Sequence, residues 1–172
     1  MERFGEVTFQ GNPLTAVGPE LKAGDTAPEF TLLANDLSTV SLSDSAGKVC
    51  LISVVPSLDT PVCDMQTRKF NEELAAMGDK VAGYTVSADL PFAQARWCGA
   101  ANVQNMQTLS DHRDMAFGNA YGTHIKELRL ESRAVFVIDS KRVIQHAEYI
   151  KEITEHPDYD GALSVVSRLV KE

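Results

Sequence analysis

The chain has 172 residues, of which 44% are hydrophobic and 23% are charged, a composition typical of a globular protein with a buried core. Its formal net charge is −8, which disfavours binding to the phosphate backbone of nucleic acids. No apolar run reaches the roughly 20 residues that a membrane helix needs, and the first residues lack a signal-peptide pattern. The sequence therefore predicts one cytoplasmic domain over residues 1–172, with no nucleic-acid or membrane partner.

The N-terminal third alternates short apolar segments with turn residues, which predicts β structure. Two such segments surround a Gly-Asn-Pro turn, so we expect a β-hairpin over about residues 6–17. Short strands are predicted at Phe30–Leu33 and Thr39–Leu42. The uninterrupted apolar run Val49–Val55 that follows predicts a buried strand.

A helix is predicted directly after this buried strand, over Asp64–Met77. Thr60 is an acceptable N-cap, Pro61 suits the first helical position, and Gly78 stands where a helix commonly ends. Spacings of three and four predict a buried side made of Val62, Met65, Gln66, Phe70, Leu74 and Met77. The strand, the loop and the helix place Cys63 in the first helical turn.

The rest of the chain continues the alternation of strands and helices. Strands are predicted at residues 81–87, 106–109, 134–138 and 143–150, and helices at 114–120 and 160–170. A further short helix, with Asp89 as its N-cap, opens at Pro91 and carries Trp97 and Cys98. This order predicts an α/β protein with a thioredoxin-like fold, in which helices flank a central mixed β-sheet and the N-terminal hairpin is an extension.

Cys63 is the first candidate for a reactive group. The unpaired N–H groups of a first helical turn favour an anion, so a cysteine in that position can be held as a nucleophilic thiolate. The alternative is a structural cysteine, since free cysteines are usually buried. Position alone does not decide between these two interpretations.

The spacing of the cysteines narrows the set of redox reactions that Cys63 could carry out. Cys63 has no partner in a Cys-x-x-Cys pair, because Gln66 occupies that position, and the next cysteine, Cys98, lies 35 residues further along the chain. This layout suits oxidation of one cysteine to a sulfenic acid that then condenses with a distant one. If the two cysteines are too far apart for a disulfide, one of their helices must unwind locally. Cys98 lies near the end of its predicted helix, before Gly99, where such unwinding costs little free energy.

The sequence resembles the peroxiredoxin family. The spacing Pro56-x-x-x-Thr60-x-x-Cys63 is similar to the family signature Pro-x-x-x-Thr-x-x-Cys. Further segments are similar to the bacterial thiol peroxidase subfamily, namely residues 9–13, 87–94, 98–100, 133–135 and 157–159. The resemblance covers essentially the whole chain.

The resemblance implies a role for five residues. Cys63 would be the peroxidatic cysteine and Cys98 the resolving cysteine. Thr60 would hold the thiolate and orient the peroxide, Pro56 would shield the sulfur from water, and Arg133 would stabilise the thiolate and the charge that develops on the peroxide. Simpler roles remain open, because Thr60 could be only an N-cap, Pro56 only a strand terminator and Arg133 only a solvated flank.

The implied activity is reduction of hydrogen peroxide and alkyl hydroperoxides in antioxidant defence, by a homodimer that needs no cofactor and no metal. Thioredoxin would reduce an intramolecular disulfide between Cys63 and Cys98. Cys50 lies inside the predicted buried strand and is interpreted as core packing. Phe92, Trp97 and Phe117 could form an apolar collar that favours organic peroxides; their simpler interpretation is core packing.

Three other functions are compatible with parts of this pattern. In a non-enzymatic redox sensor or thiol-regulated binding protein, Cys63 would be oxidised without turnover, and a one-cysteine peroxidase would use Cys98 only structurally. A Cys–His hydrolase is disfavoured, because none of the four histidines stands in a recognisable setting and such an enzyme has no use for Cys98. Nor do the histidines and cysteines show the spacing of a zinc site.

Overall fold

The computed structural model describes residues 1–172 as a mixed α/β protein. The strands are β1 (Glu2–Phe9), β2 (Asn12–Val17), β3 (Thr31–Leu33), β4 (Thr39–Ser41), β5 (Val49–Val54), β6 (Val81–Ser87), β7 (Gln107–Ser110), β8 (His124–Ile125), β9 (Leu130–Glu131), β10 (Ala134–Ile138) and β11 (Ile144–Tyr149). The helices are α1 (Pro61–Leu74), α2 (Pro91–Ala101), α3 (Ala116–Tyr121) and α4 (Tyr159–Val170). Short 3-10 helices lie at Leu42–Ser45 and Gly78–Lys80.

Seven strands form the central mixed sheet, in the order β11-β10-β5-β6-β7-β3-β4. β5, β6 and β7 are parallel, and β10 and β3 pair antiparallel on either side of them. β5 and β10 are buried at every position, as expected for uninterrupted apolar strands covered on both faces. The predicted central mixed sheet with flanking helices is confirmed.

Each face of the central sheet has its own apolar core. On one face, side chains of α1 and α4 such as Phe70 and Val166 pack against β5 and β10. On the other face an aromatic cluster includes Phe117, whose ring stacks on Tyr121 at 4.3 Å between centroids. The suggestion that Phe117 forms part of an active-site collar is therefore wrong, because this ring lies inside the core.

The N-terminal hairpin belongs to a second sheet, with the strand order β1-β2-β8-β9. β1 begins at Glu2, earlier than predicted, and a register shift between Phe4 and Val7 accommodates Gly5 at φ +80°, a backbone conformation that glycine adopts readily. β8 and β9 have two residues each, too few to show a periodicity in the sequence. Only Ser132 and Arg133 separate β9 from β10, so the two sheets meet at Arg133.

Helix α1 differs from the prediction at its end and in its orientation. It ends at Leu74 instead of Met77. Its buried side contains Cys63, Gln66, Thr67, Phe70 and Leu74. Met65 is 54% exposed, contrary to its predicted place on the buried side, because two residues correspond to roughly 200° of helical rotation from the buried Cys63.

The prediction that Asp89 is the N-cap of α2 is wrong. Leu90 is the N-cap residue, and the Asp89 carboxylate instead accepts hydrogen bonds from the Ser57 and Ser87 hydroxyls and from the Leu58 N–H. Asp89 thus fastens the loop that leads from β5 to α1. No helix of the protein has the length and apolar character required to cross a membrane.

Candidate active site

Cys63 lies in the first turn of α1, just beyond the carboxyl end of β5. Thr60 is the N-cap residue with extended backbone angles, and Pro61 occupies the first helical position, where its missing N–H costs nothing. The sulfur has no exposure to solvent and packs against Val55, Leu58 and the partly buried Trp97. The sequence-predicted position of Cys63 agrees with this geometry.

Arg133 reaches the same sulfur from the central sheet. β10 runs antiparallel to β5, with Ala134 opposite Val54, so the residue before β10 lies beside the carboxyl end of β5. The Nη2 atom of Arg133 donates to Sγ of Cys63 at 3.2 Å. Nε and Nη2 also donate to the carbonyl of Ile153, at 3.0 and 2.8 Å. The interpretation of Arg133 as only a solvated flank is excluded, since the side chain is 2% exposed.

The charge of Arg133 is not balanced by a carboxylate. None of the ion pairs in the structure includes this guanidinium. Its hydrogen-bond acceptors are a carbonyl, an amide oxygen and the Cys63 sulfur, of which only the sulfur can ionise. An isolated buried charge is strongly unfavourable, and the sulfur is the only one of these acceptors that could carry the compensating charge.

Gln66 orients the arginine and was missed as a site residue. Its Oε1 accepts from Nη1 of Arg133 at 2.9 Å, and its Nε2 donates to the Ser53 hydroxyl on β5 at 2.7 Å. The sequence pattern counted Gln66 among the buried side of the helix. A fully buried amide needs partners for its polar atoms, and that requirement is the signal that could have identified it.

A cavity of about 320 Å³ is lined by Arg133, whereas the buried Cys63 is not one of its lining residues. Three of the predicted site residues line it, namely Pro56, Thr60 and Arg133. Its other walls are largely apolar. Phe9, Leu128 and Leu130 come from the second sheet and its connections, and Ile153 comes from the segment between β11 and α4. Sequence reasoning missed these four residues because their contribution depends on the packing of one sheet against the other.

The Thr60 hydroxyl does not contact the sulfur. It donates to the Ser57 carbonyl at 2.9 Å, and it makes no side-chain capping bond to α1. A hydroxyl has a single proton to donate, so in this state Thr60 offers only lone pairs to the cavity. A hydrogen bond from Thr60 to the thiolate therefore requires its hydroxyl to turn away from Ser57.

Cys98 lies apart from this group, in the last turn of α2 and half-buried. Its sulfur is 3.3 Å from the Thr108 hydroxyl, whose own proton goes to Oδ1 of Asn35 at 2.7 Å, so the Cys98 thiol is the donor to Thr108. Cys98 borders a different cavity, of about 430 Å³, which shares no lining residue with the first. All three cysteines are free thiols, and no Cys63–Cys98 bond is present.

Cys50 fits its interpretation as core packing. It lies within β5 at 1% exposure, and burial raises the pKa of its thiol to about 12. A thiol in that environment is neither accessible nor ionised at neutral pH. The structure contains no cluster of three or more His, Cys, Asp or Glu side chains that could hold a metal ion.

Comparison with known proteins shows the family. The Redoxin family model matches residues 22–163. A thiol peroxidase of Bacillus subtilis is 58% identical over 168 residues, which cover 98% of this chain and 100% of the relative. A thiol peroxidase of Halalkalibacterium halodurans is 61% identical over 160 residues, 93% of this chain and 96% of the relative.

Solved structures agree with these sequence relatives. A peroxiredoxin-like protein from Aquifex aeolicus superposes with a TM-score of 0.89 at 42% identity, covering 97% of this chain and 99% of its own. A thiol peroxidase from Chromobacterium violaceum has a TM-score of 0.85 at 21% identity, over 94% of this chain and 95% of its own, which shows the shared fold alone. The predicted thioredoxin-like fold and the resemblance to peroxiredoxins are confirmed. The chain belongs to the Redoxin family and is a peroxiredoxin-type peroxidase, an oxidoreductase related to the bacterial thiol peroxidases.

Proposed function

We propose that this protein reduces hydrogen peroxide and alkyl hydroperoxides with electrons that thioredoxin delivers through a Cys63–Cys98 disulfide. One observation carries the proposal: the buried guanidinium of Arg133 has the Cys63 sulfur as its only ionisable hydrogen-bond partner. A thiolate held by a fixed positive charge beside a cavity is the nucleophile that peroxide reduction needs.

In the first step the Cys63 thiolate attacks one peroxide oxygen. The S–O bond forms as the O–O bond breaks, so the thiolate, the peroxide and one proton give a sulfenic acid and an alcohol, or water when the substrate is hydrogen peroxide. Arg133 stabilises the negative charge that moves from sulfur to the departing oxygen. Pro56 limits access of water to the sulfur, and Thr60 turns its hydroxyl towards the incoming peroxide.

The walls of the cavity support organic hydroperoxides as substrates. Phe9, Leu128, Leu130 and Ile153 offer an apolar surface on which an alkyl or aryl group can be buried. Burial of such a group contributes about 25 cal/mol per Å² of apolar surface, a gain that hydrogen peroxide cannot obtain. Both substrates react with the same sulfur, and the organic ones should have the lower KM.

In the second step the Cys98 thiol condenses with the sulfenic acid, forming an S–S bond and releasing water. Cys50 is a poor alternative, because burial raises its pKa to about 12 and it lies inside β5. The dithiol of thioredoxin then exchanges with the disulfide, which restores both cysteines and leaves thioredoxin oxidised. The resemblance also suggests a homodimer, a cytoplasmic location and a role in antioxidant defence, which complete the proposal.

The test is thioredoxin-dependent consumption of cumene hydroperoxide by the wild type and by Cys63→Ser and Cys98→Ser variants, with Cys50→Ala as the matched cysteine control. We expect turnover by the wild type and by Cys50→Ala, none by Cys63→Ser, and a single turnover by Cys98→Ser. Continued cycling by Cys98→Ser would favour a one-cysteine peroxidase. A wild type that reacts once and stops with every reductant would favour a redox sensor.

A further inference from the structure

A hydrogen bond joins the residue that follows Cys63 in the sequence to the residue that precedes Cys98. Asp64 follows Cys63 in α1, and Trp97 precedes Cys98 in α2. The indole Nε1 of Trp97 donates to Oδ1 of Asp64 at 2.9 Å. A hydrogen bond to a carboxylate is stronger than one between neutral groups, so this contact is a strong connection between the two helices.

Trp97 also packs against the small apolar cluster that contains Cys63. It is half-buried and packs against Val55, Leu58 and Cys63. The guanidinium of Arg68, which forms an ion pair with Asp64, lies 5.6 Å from the centre of the same ring. Trp97 therefore interacts with α1 through its N–H, which donates to Asp64, and through its ring, which lies near Arg68.

A second connection lies two turns further along α1. Oδ1 of Asn71 accepts the backbone N–H groups of Gln104, Asn105 and Met106, at 3.1, 2.6 and 3.2 Å. These residues belong to the loop between α2 and β7, directly after the turn that carries Cys98. One amide oxygen of α1 thus holds the chain segment that follows the resolving cysteine.

Formation of the disulfide requires the connection between Trp97 and Asp64 to break. The Cys63 sulfur has no solvent exposure and accepts a hydrogen bond from Arg133. The Cys98 thiol is hydrogen-bonded to Thr108 and borders a cavity that Cys63 does not line. A disulfide needs Cβ atoms roughly 3.5 to 4.5 Å apart, so at least one helix end must unwind. Movement of the first turn of α1 displaces Asp64, and movement of the last turn of α2 displaces Trp97; either movement breaks their hydrogen bond.

We propose that Trp97 is a positioning residue that connects the two cysteine helices and sets how fast the Cys63 sulfenic acid is converted to the disulfide. This inference rests on the proposed two-cysteine function. Asn71 acts in the same direction through the loop after α2. By holding the helices in their folded arrangement, the two residues keep Cys63 in contact with Arg133 for the first step and slow the second.

The delay has a chemical cost, because the sulfenic acid has two competing fates. Attack by the Cys98 thiol gives the disulfide and water. Attack by the sulfenate on a second peroxide gives a sulfinic acid and an alcohol, and that product is not restored by thioredoxin. Trp97 and Asn71 therefore determine the peroxide concentration at which the enzyme is inactivated.

The decisive variants are Trp97→Phe, which keeps an aromatic ring and removes the N–H, and Asn71→Ala, which removes the acceptor. Asn71→Asp restores an oxygen acceptor and serves as the rescue variant. Lys69→Gln is the matched control, because it breaks an exposed ion pair with Glu73 on the same helix and touches neither α2 nor its loop. Rapid quenching followed by mass spectrometry of intact protein measures the sulfenic, disulfide and sulfinic forms over time.

We expect Trp97→Phe to form the disulfide about threefold to tenfold faster than the wild type, as loss of one hydrogen bond from the folded state predicts. Asn71→Ala, which loses three hydrogen bonds, should be accelerated at least as much. Both variants should accumulate correspondingly less sulfinic acid in excess cumene hydroperoxide. Asn71→Asp and Lys69→Gln should match the wild type. Equal or slower disulfide formation in both decisive variants would overturn the inference, whereas the proposed function would stand because the wild type still forms the bond.

The wild-type protein offers an independent test, since Trp97 is the only tryptophan of the chain. Its fluorescence should change with the rate of disulfide formation, and this change should be missing from Cys98→Ser. A fluorescence change of equal size in Cys98→Ser would show that Trp97 responds to oxidation of Cys63 alone and would contradict the inference. If the wild type forms no Cys63–Cys98 disulfide at all, the proposed function fails and this inference fails with it.

Discussion

The Nη2 atom of Arg133 lies 3.2 Å from Sγ of Cys63, although 70 positions separate the two residues in the sequence. The central sheet creates this contact, because β10 begins where the antiparallel β5 ends. Cys63 is then delivered by the helix after β5, and Arg133 by the connection before β10. The reactive pair therefore depends on strand pairing and not on local sequence.

Replacement of Arg133 should lower both the thiolate fraction of Cys63 and its reactivity. Arg133→Ala removes the only charge in contact with the sulfur, and we expect the rate of the first oxidation to fall by roughly 100-fold, the usual effect of losing one preorganised electrostatic donor. Arg133→Lys keeps the charge without the planar fork and should lose less. The ultraviolet absorbance of the thiolate, followed as a function of pH, measures the ionised fraction directly.

The control for that experiment is Arg142→Ala, which removes an exposed arginine paired with Glu29. It should leave both the thiolate titration and the oxidation rate unchanged. An Arg133→Ala protein that titrates like the wild type would show that the guanidinium does not act on the sulfur.

Gln66 offers a sharper electrostatic test, because Gln66→Glu changes charge with almost no change in shape. The new carboxylate would lie at the position of Oε1, 2.9 Å from Nη1 of Arg133, and would compete with the Cys63 thiolate for the same cation. We expect the oxidation rate to fall at least about tenfold. Gln66→Met removes the hydrogen bonds without adding a charge. Comparison of the two variants therefore separates the loss of Arg133 orientation from the effect of the added charge. If Gln66→Glu reacts as fast as Gln66→Met, charge competition is not the cause.

The sequence predicts the position of Cys63 well, because the signals for it are local. The apolar run of β5, Pro61 at the first helical position and the spacing of Phe70 and Leu74 all act within a few residues of the cysteine. Arg133 was identified as a site residue only through the family resemblance. The residues next to Arg133 in the sequence do not distinguish a buried arginine from one at the surface.

The apolar residues that line the cavity could not be predicted from the sequence. Leu128 lies between β8 and β9, and Leu130 begins β9; these two-residue strands depend on pairing with the N-terminal hairpin. Phe9 reaches the cavity only because that hairpin packs beside the central sheet. Met65 was placed on the wrong side of α1, because hydrophobic periodicity cannot anticipate that the small Cys63 and Thr67 face the interior.

Glu131 should make the stability of the protein depend on pH. Burial, together with the neighbouring Asp111, raises the pKa of this carboxyl well above its ordinary value of 4.5. Asp111 accepts hydrogen bonds from the N–H groups of Phe117 and Gly118. Oε1 of Glu131 has no other hydrogen-bond partner, so a proton on Glu131 shared with Asp111 satisfies both groups.

The direction of this pH dependence follows from the number of protons bound by the folded and unfolded states. The folded state retains a proton that the unfolded chain releases above about pH 4.5, so stability falls as the pH rises from there towards the folded-state pKa. Glu131→Gln keeps a donor for Asp111 and an acceptor for Thr123, and removes the titration. We expect it to gain at least about 1 kcal/mol in the free energy of unfolding at neutral pH. Urea unfolding across a pH series is the measurement, and an unchanged pH slope in Glu131→Gln would contradict the assignment.

Glu152 should have the opposite pH dependence. Its carboxylate accepts hydrogen bonds from the N–H groups of Gly11 and Gln10 and from the hydroxyls of Thr8 and Thr154. These bonds, led by that from Gly11, lower its pKa to about 2. The stabilisation is complete above about pH 4.5 and is lost as the pH falls towards about 2. Glu152 thereby fastens the hairpin turn to the segment beside the active site.

Glu152→Gln should consequently affect substrate binding as well as stability. Phe9, just before the turn, lines the cavity, and the carbonyl of Ile153 holds Arg133. We expect a loss of about 1 kcal/mol in the free energy of unfolding at neutral pH, a modest value because the site is partly exposed, and a difference from the wild type that vanishes near pH 2. The KM for cumene hydroperoxide should rise more than that for hydrogen peroxide, since only the larger substrate uses the Phe9 wall. Glu155→Gln, at an exposed neighbouring position, is the matched control; equal shifts in both KM values would show that the hairpin does not contribute to substrate choice.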